Sequence, residues 1–308
     1  MRAAPNPLNA RELRRLPPPL HSIVLVTGKG GVGKTTVAAG LAAAAVEHEG
    51  SAVLVEFGGG EAGRRAFGGR SPRGLEHVVI VQQDAMQRLA TQLFRSGLLA
   101  KAVLGNFAIK RFLRASPAFR ELAMLESVRF VAEQNPKRRV VVDLPATGHG
   151  VAWLRVPAQL RDMLRSGALF ELCARICQDL VSPDRSSIAV VTLPEALVLR
   201  ETLELCEAID REVGMKPARL YVNRFPAGLP IAALADARVR SQGGGTLGVA
   251  SRELVTVLEA REAARNEALH VLSNAPRVGE MTPVVLPEAP ADPTVRQVVQ
   301  WLGAEAVW

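Results

Sequence analysis

Residues 27–36, TGKGGVGKTT, set two lysines, Lys29 and Lys34, among four glycines. The run fits G-x-x-x-x-G-K-[ST] and lies between an apolar run, SIVLV (22–26), and an alanine-rich helical pattern. In that setting the spacing means phosphate chemistry. Backbone N–H groups of Gly30, Gly31, Val32 and Gly33 would turn into the loop, and the following helix N-terminus adds its dipole. Lys34 would neutralise β- and γ-phosphate oxygens, and Thr35 would offer its hydroxyl to Mg²⁺. Gly28 and Thr36 frame the loop. Asp143, at the end of the apolar run RVVVD (139–143), is placed to hold the same ion through water. The ligands this chemistry selects are ATP and Mg²⁺. Lys34, Asp143 and a still unexplained Lys29 are the charged groups for the reacting phosphates.

Something must hold those groups at one end of a sheet. Seven β-rich runs recur: 22–26, 52–55, 78–81, 139–143, 188–192, 219–223 and 283–287. They are almost continuously apolar, as strands covered on both faces are, and helical patterns separate most of them. The alternation predicts an α/β fold, a doubly wound and mainly parallel sheet. Residues 1–20 read as a leader stiffened by Pro17, Pro18 and Pro19, and 21–308 as a single domain. The longest gap between strands predicts an inserted helical subdomain at about 85–137. It holds an amphipathic helix with Leu99, Val103 and Phe107 on one side, a break near Pro117, and a second helix. Further helices are expected from Gly150 to about Leu180 and from about Arg252 to Leu272, with a loop at 241–248, SQGGGTLG.

Composition sets outer limits. Hydrophobic residues are 48% and charged residues 22% of the 308, an ordinary globular balance. No apolar run reaches the roughly 18 residues of a membrane span, and the leader lacks the apolar core of a signal peptide. The expected location is the cytoplasm, with membrane contact peripheral at most. Cys173 and Cys177 fall on one helical face without further ligands nearby, so they and Cys206 read as small buried hydrophobes. The net charge of +8 is concentrated between Ala85 and Arg139, where eleven Lys/Arg against three Glu give 11 − 3 = +8. Such a segment is either a solvated helical surface or a docking face for an acidic partner or client. Aromatic residues do not interleave with the bases, which argues against single-stranded nucleic acid, and DNA ranks last among partners.

Lys29 gains a role from a resemblance. The K-G-G-x-G-K-T loop resembles the deviant phosphate loops of the dimeric ATPase class that includes arsenite-pump ATPases, tail-anchored-protein targeting factors, partitioning ATPases and nitrogenase iron protein. The resemblance implies that Lys29 reaches the phosphate of the nucleotide bound by the other subunit. DLPATGH (143–149) resembles the second switch, D-x-x-x-T-G-H, of the arsenite-pump and tail-anchored-targeting family, and SPAFREL (116–122) a helix start in its insert. VTLPEALVLRETLELCEAI (191–209), YVNRFP (221–226) and VLPEAP (285–290) continue the likeness over nearly the whole chain after residue 20. It implies that Asn223 reads adenine, that Pro287 lies in the adenine-side loop, and that His149 either packs as a loop residue or senses the γ-phosphate.

Two departures narrow this expectation. The family's first switch, S-T-D-P-A-H, has an aspartate that orients the attacking water. Here the strand runs into VEFGGGEAGRRAFGG, and Gly58 stands at that position with Glu56 and Glu61 nearby. The stretch resembles a bacterial branch with a V-E-x-x-G/R first switch, some of whose members pair with a paralogue. There is also no C-x-x-C to join subunits through zinc. The expected function is a dimeric ATP-hydrolysing switch, a homodimer or, favoured, a paralogous heterodimer. The alternative is a catalytically impaired regulatory subunit of such a heterodimer.

Overall fold

The structure, a computed structural model, describes residues 19–93, 116–145, 150–229, 231–275 and 281–307. The strands are β1 (Ile23–Gly28), β2 (Ala52–Phe57), β3 (Leu75–Ile80), β4 (Arg139–Asp143), β5 (Ser186–Thr192), β6 (Pro217–Phe225) and β7 (Thr282–Pro287). They form one sheet in the order β3-β2-β4-β1-β5-β6-β7, and each neighbouring pair is parallel. Each of the seven apolar runs read from the sequence is a strand. The chain leaves β1 toward β2 and β3 on one side and later builds β5 to β7 on the other. The carboxyl end of β1 is therefore a topological switch point, where ligands of open α/β sheets bind.

The helices described are α1 (Lys34–Glu49), α2 (Glu61–Ala66), α3 (Gln82–Leu93), α4 (Pro117–Gln134), α5 (Gly150–Met163), α6 (Ala168–Asp179), α7 (Ala196–Val213), α8 (Ile231–Ser241), α9 (Gly245–Asn274) and α10 (Val295–Val307). Side-chain alternation along each strand divides them between two layers. Val24, Val26, Leu54, Val141, Ala189, Val191 and Tyr221 face α1 and α10. Ile23, Leu25, Val53, Val55, Val140, Val142, Ile188, Val190, Leu220 and Val222 face α3 to α7 and α9. The alanines of α1 explain its seat: Ala38, Ala39 and Ala42 are fully buried, and a helix with so little side chain can lie close against the sheet. Among the described residues, no helix is long and apolar enough to cross a membrane.

The structure refines three expectations. The stretch from Gly150 to Leu180 is two helices, α5 and α6, parted at Gly167, which adopts φ 102°. The loop expected at 241–248 is confined to 242–244, because the first turn of α9 winds through Gly245 and Gly248. The segment at about 85–137 is described only at its ends. Most of α3 and all of α4 lie within it, and Leu122, Leu125 and Val128 of α4 sit in the main core. The amphipathic helix expected around Leu99–Phe107 lies outside the described residues.

Part of the basic segment is turned inward. Arg129 is buried in a network with Glu126, Glu133 and Asp179. Arg138 pairs with Glu76 and donates to the Ala52 carbonyl, and Arg139 pairs with Glu49 and donates to the Leu20 and His21 carbonyls. These three arginines hold the fold together and are not a docking surface.

Candidate nucleotide site

Strand β1 ends at Gly28 and α1 begins at Lys34, so the loop between them stands at the switch point. Gly30 and Gly31 are exposed at its crest, Val32 is buried beneath it, and Thr36 is half-buried in the first turn of α1. Gly33, the residue before the helix, has φ 91°, and a Cβ there would overlap the Asn223 side-chain nitrogen, so both backbone and space demand glycine. The first turn of α1 carries no acid and no side-chain cap. Its free N–H groups and dipole suit an anion.

Lys34 is 7% exposed and turns its Nζ onto the Lys29 carbonyl at 3.0 Å. Burial pulls its pKa down, and Asp143 opposes that shift. The Thr35 hydroxyl donates to Asp143 Oδ2 at 2.5 Å, while Asp143 Oδ1 is buried with no hydrogen-bond partner. Burial raises the Asp143 carboxyl to about 6, Thr35 and Lys34 work against the rise, and the charge of Glu56 adds to it. A carboxylate in this condition is suited to a cation. The hydroxyl of Thr35, the orphaned oxygen of Asp143 and the uncapped helix together fit a hydrated Mg²⁺ beside phosphate.

Lys29 behaves differently. Its side chain is 43% exposed, and it pairs with Glu201 in the second turn of α7 instead of folding back over its own loop. The two lysines of the motif are thus separated in kind, one inside the cradle and one held at its rim. Glu201 was not singled out in the sequence, although it lies within the conspicuous stretch 191–209; only three-dimensional contact distinguishes it.

Asn223 sits on the opposite wall. Between β6 and β7 the register runs Val222↔Val285 and then Phe225↔Pro287, three steps against two, which is a one-residue bulge. At the bulge Arg224 takes φ 55°, unusual for a side-chain-bearing residue, and donates its N–H to Asn223 Oδ1 at 3.0 Å. Asn223 Nδ2 donates to the Val32 carbonyl at 2.9 Å. Asn223 therefore braces the phosphate loop from below. Pro287 ends the neighbouring strand at the same edge of the site.

At the end of β2, Gly58 adopts φ 90° and bonds its N–H to the Ile80 carbonyl at 3.1 Å. Glu61 is exposed on α2. Glu56 is buried, accepting the Gly63 N–H at 2.9 Å and pairing with His77, a residue the sequence reading passed over. His149, with the rest of 146–149, lies outside the described residues.

Residues 23–237 match the family described as the CobQ/CobB/MinD/ParA nucleotide binding domain, CbiA. The chain is 26% identical over 233 residues to the ATPase BagA of Mycobacterium tuberculosis, covering 69% of this chain and 68% of that one. It is similarly 26% identical to a putative ATPase of Mycobacterium bovis over the same shares. It is also 28% identical over 205 residues to the arsenical pump-driving ATPase of Acidiphilium multivorum, where it covers 66% of this chain but 34% of the pump protein.

Proposed function

From the premise that the chain belongs to the CobQ/CobB/MinD/ParA nucleotide binding domain family, we propose that it is a Mg²⁺-dependent ATPase of the arsenite-pump and tail-anchored-targeting kind, working as a switch with nucleotide at a subunit interface. One observation carries this reading: Thr35 and Asp143 are bonded to each other beside an uncapped helix, with one Asp143 oxygen buried and unpartnered. Residues 30–33 present N–H groups to the phosphates, Lys34 leaves the Lys29 carbonyl to meet β- and γ-oxygens, and Thr35 and Asp143 hold the cation. Held there, Mg²⁺ would supply charge neutralisation for the transferred phosphoryl group. Asn223 and Pro287 border the adenine side. Relatives bearing the names ATPase and arsenical pump-driving ATPase support the hydrolytic assignment.

Lys29 supplies the interface. An exposed ammonium at the rim can leave Glu201 for the phosphate of a second subunit, so full charge compensation would come only on closure. Gly58 favours a second reading, in which this chain is the weakly hydrolysing member of a paralogous heterodimer, since no side chain at that position orients water. The exposed Arg88 and Lys137 of the basic segment would then face an acidic partner or client.

Sedimentation and phosphate release, with ATP and with a slowly hydrolysed analogue, test both readings. For the chain alone and with a paralogue, Lys29→Ala should leave ATP affinity of the isolated subunit unchanged while abolishing ATP-driven assembly and lowering turnover by about 10²-fold. A parent that stays monomeric throughout yet turns over ATP would overturn the interface role. Turnover appearing only with the paralogue would favour the second reading.

A further inference from the structure

Glu56 and Asp143 project from neighbouring strands onto the same face of the sheet. The register pairs Val55 with Val142. Leu54 and Val141, two residues earlier on each strand, both face α1. Glu56 is 4% exposed and Asp143 9%. Two carboxylates packed so closely repel, which is why the charge of Glu56 pushes the Asp143 carboxyl further up. A buried acid in that position needs compensation, and Glu56 has it on both oxygens: Oε1 accepts the Gly63 N–H, and Oε2 meets His77 Nε2 on β3.

The Gly63 N–H belongs to the first turn of α2, so the Glu56 bond fixes where that helix begins. The seat is close. A Cβ on Gly63 would overlap Glu56 Oε2 and lie 3.1 Å from His77 Nε2. Between Glu56 and α2 run Phe57 and three glycines, Gly58, Gly59 and Gly60, with no glycine side chain to anchor the turn. Glycines have the most conformational freedom to lose on ordering, so the position of this turn depends on what holds its far end.

Building on the nucleotide-site reading above, we infer that Glu56 is the positioning residue of the first switch: with His77 and the Gly63 amide as its partners, it holds α2 and the glycine turn beside the strand end that carries Asp143. Glu56 does not itself meet the attacking water. It determines whether the backbone of Gly58–Gly60 is in place when nucleotide and cation arrive. Because Glu56 and Asp143 follow the paired residues Val55 and Val142 on neighbouring strands, the residue that seats α2 lies beside the cation-site carboxylate.

The experiment uses the full chain and three variants. Glu56→Gln keeps shape and one acceptor but loses the charge, His77→Gln removes the ring, and Gly63→Ala wedges α2 away from Glu56 while both acids remain in the chain. Affinity for a fluorescent ATP analogue with Mg²⁺, single-turnover hydrolysis at saturating ATP, and amide exchange over residues 58–67 with and without Mg²⁺–ATP are measured together. Affinity is expected to stay within about threefold while the hydrolysis rate falls about tenfold or more, a loss in kcat and not in KM. Exchange over 58–67 should respond to Mg²⁺–ATP in the parent and lose that response in Glu56→Gln and Gly63→Ala. Variants that keep the parent's exchange response and rate overturn the inference, as does a fall in affinity matching the fall in rate, which would mark a merely structural ion pair. If the parent hydrolyses too slowly to measure, the exchange response alone decides between these outcomes. A parent that fails to bind ATP refutes the nucleotide site itself, a result visible without any variant.

Discussion

The loops that follow β1 and β2 end at the same edge of the sheet and are built on opposite terms. After β1, polar side chains other than Lys29 turn inward: Lys34 is buried, Thr35 is bonded to Asp143, and Asn223 braces the backbone from below. After β2, the turn is three glycines, and its one buried acid, Glu56, points back beneath α2. The first loop is held by its own side-chain contacts, with Lys34 resting on the Lys29 carbonyl. The second can only be placed. On the function proposed above, binding and hydrolysis fall to different loops, and each should be open to damage while the other survives.

The largest expected effect breaks the first loop alone. Lys34→Ala should weaken ATP binding by about 10²-fold or more, because the N–H cradle remains but the phosphate charge loses its charge-assisted partner. Titration calorimetry reads this directly, and parental affinity in the variant would contradict the site.

Next comes the electrostatic cost of that loop. The native Asp143 carboxyl, lifted by burial from 3.8 to about 6, binds its proton more tightly than the unfolded chain does. The native state therefore holds the extra proton between those values, so this group's contribution to stability is fully present below the unfolded value of 3.8 and is lost as pH rises through about 6. Asp143→Asn removes the burden. The variant should be more stable than the parent by about 3 kcal/mol at pH 7 in urea denaturation, a gap closing below pH 4. Adding Mg²⁺ and ATP should favour the parent again.

A smaller effect sharpens the contrast from the other side. Gly58→Asp restores the acid that the family resemblance expects, but at φ 90°. The strain should cost about 1–2 kcal/mol and displace the turn, so stability drops with no gain in phosphate release. A gain in turnover would show that the second loop lacks only a carboxylate.

How far the sequence reaches follows the same division. The phosphate loop and the seven strands were legible because each depends on local spacing: glycines and a lysine at fixed intervals, apolar runs of strand length. Helix α2 was not legible. Its six residues, EAGRRA, follow three glycines and contain a fourth, and no pattern marks a helix that depends on a carboxylate seven residues before Gly63. The pairing of Lys29 with Glu201 spans 172 positions and leaves no trace in spacing. Gly245–Gly248 looked like loop because glycine usually is, and there the long helix that follows overrides propensity. Asn223 was singled out as an adenine reader through resemblance, and its bond to the Val32 carbonyl, beside the bulge, left no mark in the sequence.

That bulge also divides the outer edge of the sheet into two unequal pieces. Between Arg219 and Val222 the ladder with β7 is regular, and beyond it only the Phe225–Pro287 pairing and the bond from the Glu288 N–H to the Phe225 carbonyl remain. Opening the far piece breaks few bonds and does not unzip the near one, so the two should breathe on separate clocks. Deuterium should reach the Glu288 amide long before those of Tyr221 and Val222, and a base seated against Asn223 should slow the first clock and leave the second unchanged.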